Sequence, residues 1–142
     1  MNEALTSAVR LLARREHGLA ELADKLAQKG YVDADIQDAL ATCKRQGLQC
    51  DVRFAESLCR TRIRQGYGPI RIRQELQFKQ VARDVIDDVL YAEREKWLEY
   101  ATRAWEKKYH PSDDVSFTDK QKQKQFLLYR GFSMETISEI VT

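Results

Sequence analysis

The sequence predicts an all-α chain: three tandem three-helix repeats stacked in an elongated, curved array. Three observations carry that expectation. Charged residues make up 32% of the 142 residues, while there are only six glycines and two prolines, a composition that suits helices over a sandwich or barrel. Apolar residues recur at helical spacing, as in Phe54, Leu58 and Cys59 or Ile72 and Leu76. The chain also resembles itself three times.

The self-similarity is specific in position. Offsetting "LADKLAQKGYVDADIQDAL" (Leu22–Leu40) by 50 residues onto "IRQELQFKQVARDVIDDVL" (Ile72–Leu90) pairs Leu22 with Ile72, Leu26 with Leu76 and Lys29 with Lys79. It also pairs Tyr31 with Val81, Ile36 with Ile86 and Leu40 with Leu90. An offset of 101 onto "KQKQFLLYRGFSMETISEIV" pairs Leu26 with Leu127, Gly30 with Gly131, Tyr31 with Phe132, Ile36 with Ile137 and Leu40 with Val141. A triplet of short helices buries its apolar side poorly alone, so neighbouring copies are expected to share a core. The expected boundaries are 1–49, 50–95 and 96–142.

Each copy reads as a long helix, a break and two short helices. The first helices are expected at Leu5–Glu16, Val52–Gln65 and Trp97–Tyr109. The breaks are His17-Gly18, Gly66-Tyr67-Gly68 and the longer "HPSDDVSFTD". Pro69 suits a first helical turn, where its missing N–H costs nothing. Gly30, Gln80 and Gly131 join the second helix to the third, and glycine there accepts the left-handed conformation that ends a helix. Asp113, or Ser116 to Asp119, is expected to cap the late helix. The aromatics Trp97, Tyr100, Trp105 and Tyr109 are expected in the core of the third repeat.

Enzyme chemistry is not expected. His17 and His110 lie in breaks of different repeats, with no Cys, Asp or Glu pattern that would build a zinc site. "GYG" lacks the spacing and the Lys-Ser/Thr of a phosphate loop. Adjacent acids such as Asp87-Asp88 and Asp113-Asp114 point apart on a helix. No cofactor or metal is expected. Cys43, Cys50 and Cys59 form no CxxC pair and suit a reducing compartment. No apolar run approaches the ~20 residues of a membrane span. The N-terminal stretch does not read as an export signal. A soluble cytoplasmic monomer is therefore the expectation, with no membrane partner.

Charge is unevenly placed. Lys and Arg number 8 against 2 Asp and Glu in residues 53–83, then 2 against 6 in residues 84–99. A net charge of +2 conceals this. Arg60 and Arg64 are four apart and share a helix face. Arg62 lies nearer the core side, where its stem can cover apolar surface. Arg71 and Arg73 fall in the first turn after Pro69, an unfavourable place for cations that Glu75 offsets at i+4 from Arg71. The free amides of that helix start would join the guanidinium groups in gripping an anion. Tyr67, between two glycines, reads equally as an exposed contact or a packed hinge. The candidate partner-binding residues are Arg60, Arg64, Tyr67, Arg71, Arg73 and Lys79.

These residues also carry a family resemblance. "GYGPIRIRQEL" (Gly66–Leu76), "DVRFAESLCRTRI" (Asp51–Ile63), "QFLLYRGFSMETISEI" (Gln125–Ile140) and "AVRLLARREHGLAELADKLAQKG" (Ala8–Gly30) together resemble RecX, the bacterial regulator of the RecA recombinase. The resemblance implies three three-helix units and no enzymatic activity. It implies binding to the RecA nucleoprotein filament and restraint of strand exchange, ATP hydrolysis and coprotease action, and so of recombinational repair and the SOS response. The candidate residues would then meet acidic RecA surface or, weakly, phosphates of single- or double-stranded DNA. A direct DNA-binding helical module without RecA is the alternative, since three-helix units can resemble helix-turn-helix folds. Two departures from the family pattern stand out. Gly18 replaces a capping Ser or Thr, leaving the second helix a weaker start. Leu48, Gln49 and Cys50 replace an aromatic and acidic pair.

Overall fold

In a computed structural model of the chain, residues 2–110 and 114–142 are described, and these form helices joined by turns, with no strand among them. The helices are α1 (Glu3–Arg14), α2 (Leu19–Gln28), α3 (Asp33–Arg45), α4 (Asp51–Arg64), α5 (Pro69–Phe78), α6 (Arg83–Tyr91), α7 (Trp97–Tyr109), α8 (Phe117–Tyr129) and α9 (Met134–Ile140). A helix triplet is thus present three times, but the expected long-short-short rhythm holds only in the middle copy: α3 has 13 residues against 12 in α1, and α8 has 13, as α7 does. The expected span of α7 is the observed one. α1 begins two residues earlier than expected because the Asn2 carboxamide accepts the Ala4 N–H at 2.7 Å and caps it there. Arg15 is extended and ends it.

The backbone divides into two compact units, Met1–Ser57 with Leu76–Ile86, and Leu58–Glu75 with Asp87–Thr142. The division falls within α4, α5 and α6, so each unit owns one whole triplet and part of the middle one. In the first unit, Ala4, Ala8, Leu22, Leu26, Ile36, Ala39, Leu40 and Cys43 form a core among α1, α2 and α3. In the second, Ala101, Leu127, Phe132, Ile137 and Val141 do so among α7, α8 and α9. Trp97, Tyr100 and Trp105 pack against that second core, as expected of them. Tyr109 meets Phe126 edge to face at 5.5 Å.

Most aligned apolar positions are buried in every copy, although Tyr31 is only partly buried where Val81 and Phe132 are buried. Leu26, Leu76 and Leu127 are each 0% exposed, and Ile36, Ile86 and Ile137 at most 4%. Burying one such side chain contributes about 1.5–3 kcal/mol. One position breaks the apolar pattern. Gln123 stands where the other copies have Leu22 and Ile72; it is buried, and its side-chain oxygen accepts the Trp105 indole N–H at 2.9 Å. A polar side chain is tolerated there because it satisfies a buried donor.

The helix ends follow local chemistry. Ser116 accepts the Asp119 N–H and caps α8, while Ser133 caps α9 through the Thr136 N–H. The alternative cap, Asp113, lies outside the described residues. Gly30 and Gly131 leave their helices at φ +90° and +94°, and Gln80 takes the same turn at φ +61°. A side chain in that conformation is strained, so the middle repeat carries a cost of about 1 kcal/mol that the glycines avoid.

The departures at Gly18 and Gln49 resolve together in the first unit. The α2 start lacks its own side-chain cap, but Asp51 Oδ1 accepts the Leu19 N–H at 2.9 Å. A Cβ on Gly18 would lie 3.0 Å from the Phe54 ring, so glycine makes room for that packing. Gln49 is buried, donating to the His17 carbonyl at 3.2 Å and to Asp51 Oδ1 at 2.8 Å. The local capping hydroxyl is replaced by a carboxylate from 32 residues away. Cys43 and Cys59 are buried, and burial pushes the Cys59 thiol up to about 12, leaving it protonated and inert.

Candidate functional site: stacked arginines and a basic groove

α4 ends where Gly66 turns to φ +89° and the Tyr67 N–H bonds back to the Arg62 carbonyl at 2.9 Å. That turn presents the Tyr67 ring on the second unit. The Arg71 guanidinium lies 4.3 Å from the ring centroid, and that of Arg130 lies 4.9 Å from it. Both are within cation–π range. Arg130 is further held by a 2.9 Å bond from Nη1 to the Gln65 carbonyl and lies 4.8 Å from the Phe126 centroid. Arg71 Nη1 reaches the Tyr129 carbonyl at 3.4 Å. Tyr67 is half-buried, and its ring lies beneath two guanidinium groups.

The α5 start differs from expectation. Its amides are not free for an anion: the Gly68 N–H donates to the Arg130 carbonyl at 2.7 Å and the Ile70 N–H to the Gly131 carbonyl at 2.9 Å. The C-terminal turn of α8 thus caps the N-terminus of α5, pairing orphan acceptors with orphan donors. Close approach requires both glycines. A Cβ on Gly68 would sit 2.5 Å from the Gly131 oxygen, and one on Gly131 would sit 2.5 Å from the Arg71 Cβ.

Glu75 also differs. Both its oxygens accept from Arg62, Nε at 2.7 Å and Nη2 at 2.8 Å, in a bidentate pair across 13 residues. Donating these hydrogen bonds to Glu75 raises the Arg62 pKa further. Arg71, the residue four before Glu75 expected to pair with it, has its guanidinium over Tyr67. Arg73 pairs with Asp87 at 2.8 Å, with both side chains more than a third exposed. Such a pair contributes little and opens easily. Arg60 and Arg64 are exposed on α4.

Lys79 belongs to different surroundings, in the first unit. It donates to Glu21 Oε2 at 2.9 Å, while Arg15 binds both Glu21 oxygens at 3.1 and 2.8 Å. Glu21 is 8% exposed. Burial pushes its pKa up, but the hydrogen bonds from Arg15 and Lys79 outweigh that and bring it down to about 2. Beside it, His17 Nε2 lies 3.2 Å from Lys25 Nζ and Nδ1 lies 3.0 Å from the Arg15 carbonyl. Burial lowers the pKa of both His17 and Lys25.

Four cations that sequence reasoning passed over complete the surface of the second unit. Arg103, Lys107, Lys108 and Arg130 line a groove of ≈330 Å³ together with Arg64, against Phe126 and Tyr100. Lys108 Nζ is 5.6 Å from the Phe126 centroid. The signal was present as Arg103 and Lys107 four apart on one helix face. It was masked because residues 100–142 balance 7 basic against 6 acidic side chains. The structure thus gathers Tyr67 and Arg71 with Arg130, lines the groove with Arg64, and pairs Lys79 with the buried Glu21.

Family models describing the first, second and third three-helix domains of RecX match residues 4–43, 51–90 and 95–141. The Regulatory protein RecX of Legionella pneumophila (strain Corby) is 53% identical over 99% of this chain and 93% of its own length. That of Vibrio parahaemolyticus is 43% identical over 93% of this chain and 85% of its own. The crystal structure of RecX from Lactobacillus salivarius superposes with a TM-score of 0.81 at 25% identity, covering 98% of this chain and 92% of that one. Likeness in sequence along nearly the whole chain and likeness in backbone agree on one assignment: the chain belongs to the RecX family of regulatory proteins.

Proposed function

We propose that the protein binds the RecA nucleoprotein filament and inhibits its recombinase, ATPase and coprotease activities, without chemistry of its own. Family membership supports the partner. The observation that carries the contact is the stack of Arg71 and Arg130 on Tyr67, with Arg64 beside the groove on the same unit. Cations held in place by aromatic faces lose less side-chain freedom on binding than free ones. Arg60 and Arg73 extend this surface, Arg73 by releasing its exposed pair with Asp87. Lys79 stays with Glu21 and takes no part.

The mechanism is obstruction. Several moderate contacts to neighbouring protomers raise effective concentration without one tight site. A filament held across protomers cannot flex or exchange subunits, and turnover falls. Sub-stoichiometric protein should therefore slow RecA-dependent ATP hydrolysis on single-stranded DNA. Reversing Arg60, Arg64, Arg71 and Arg73 to Glu should raise the concentration needed by about tenfold or more, roughly 1.4 kcal/mol or greater. No inhibition at micromolar concentration would sink the reading. Contacts to DNA phosphates would instead show a steep loss of binding with salt and persist on naked DNA.

A further inference from the structure

The groove on the second unit is chemically unlike the Tyr67 stack. Five cationic side chains line it, from Arg64, Arg103, Lys107, Lys108 and Arg130, and no carboxylate does. Its remaining wall includes Ile63, Ala104, Tyr100 and Phe126. Two of the cations are held in place. Arg130 is tied to the Gln65 carbonyl at 2.9 Å and lies over Phe126 at 4.8 Å, and Lys108 lies 5.6 Å from the same ring centroid. Tyr100 is also fixed, donating to Glu93 Oε2 at 2.6 Å, which with burial raises its pKa to about 12. The pair of Arg103 with Glu99 at 2.9 Å is exposed on both sides and opens readily.

Size and charge density together select a ligand. A volume of ≈330 Å³ is that of a small-molecule site and is too small to seat a helix about 10 Å across. A nucleic-acid strand brings one negative charge per nucleotide, so only one or two of its charges would fall within the groove. A triphosphate concentrates about four, since its terminal phosphate alone carries about −1.5 to −2. Five cations in one nucleotide-sized space match the second distribution. The apolar wall suits a sugar and base at the other end.

We propose that this groove binds a free nucleoside triphosphate, with Arg103, Lys107, Lys108 and Arg130 on the phosphates and the wall of Ile63, Ala104 and Phe126 against the nucleoside. The same phosphate chemistry is offered by the strand of a nucleic acid, and the test separates the two. The proposal does not rest on the filament reading, because the experiment contains neither recombinase nor filament.

Isothermal titration calorimetry of the full chain is run with ATP, with inorganic tripolyphosphate, and with an oligothymidylate lacking terminal phosphates, all without divalent cation. ATP should bind, and tripolyphosphate should bind about fivefold more weakly for want of a nucleoside. Arg103→Ala/Lys107→Ala should weaken both by about tenfold, while Lys44→Ala, on exposed surface of α3, should change neither. Thermal melting of each variant without ligand confirms that it is folded. The oligothymidylate should fail to displace ATP. Three results overturn the proposal: no heat from ATP at about millimolar concentration, unchanged affinity in the folded double variant, or displacement of ATP by the oligonucleotide.

Discussion

The same slot of the repeat holds Glu21 in the first unit and Arg71 in the second, 50 residues apart. Glu21 faces inward, buried between Arg15 and Lys79. Arg71 is exposed, stacked on Tyr67, which itself occupies the place of His17. The two helix starts are also completed differently. Asp51 caps α2 through a side chain, whereas backbone carbonyls of Arg130 and Gly131 cap α5. Both solutions satisfy the helix end, yet one consumes its charges internally and the other leaves them facing solvent. The architecture therefore does not demand a basic surface in the second unit.

The contrast can be broken most strongly at the glycines. Gly30 and Gly131 occupy the same slot at nearly the same φ, but a Cβ meets nothing within 4 Å at Gly30 and meets Arg71 at 2.5 Å at Gly131. Gly131→Ala should cost about 3–4 kcal/mol, combining backbone strain with overpacking. Gly30→Ala should cost only about 1 kcal/mol, the strain alone. Urea unfolding of the two variants measures the difference, and equal losses would refute the close approach of α5 to α8.

Next in size is the buried carboxylate. Glu21→Gln should lose about 3 kcal/mol at pH 7, the scale of a carboxyl shifted from 4.5 to about 2. The depressed folded value means that Glu21 stabilises the fold above its unfolded pKa and ceases to as pH falls through the folded one. Wild-type stability should thus drop between pH 4.5 and about 2, and the variant should lack that part of the slope. His17, with its pKa lowered by burial, acts in the same direction at higher pH. The unfolded chain binds its proton below 6.5 while the folded chain resists it, so stability should begin to fall there. Acid melts followed by circular dichroism show both phases.

Smaller effects sharpen the comparison. Gln80→Gly should stabilise by about 1 kcal/mol, since glycine relieves the φ of +61° that the other copies meet with glycine. Chemical denaturation should show a raised midpoint at unchanged slope. Tyr67→Ala should cost about 1 kcal/mol in stability by removing the ring beneath two guanidinium groups, while Tyr67→Phe should cost much less. If the two variants melt alike, the stack does not hold the arginines.

By itself the sequence determined the class, the triplet rhythm, the aligned core positions and the family. Those follow from periodicity and local chemistry: an apolar residue every third or fourth place, a serine before a helix, a glycine after one. The basic bias of residues 53–83 was legible for the same reason, because charge can be counted along a chain. Tertiary structure alone decided what each charge does. Lys79 and Arg71 look equivalent in the sequence, yet Lys79 closes on Glu21 across 58 residues and Arg71 lies on Tyr67. The α5 amides looked free until α8 supplied acceptors, and Arg130 joined the stack only because it is brought back to Gln65 across 65 residues. Local pattern governs which residues must be buried, since burial is set by each residue's own solvation. Pairing of charges depends on which segments meet in space, and no local period encodes that.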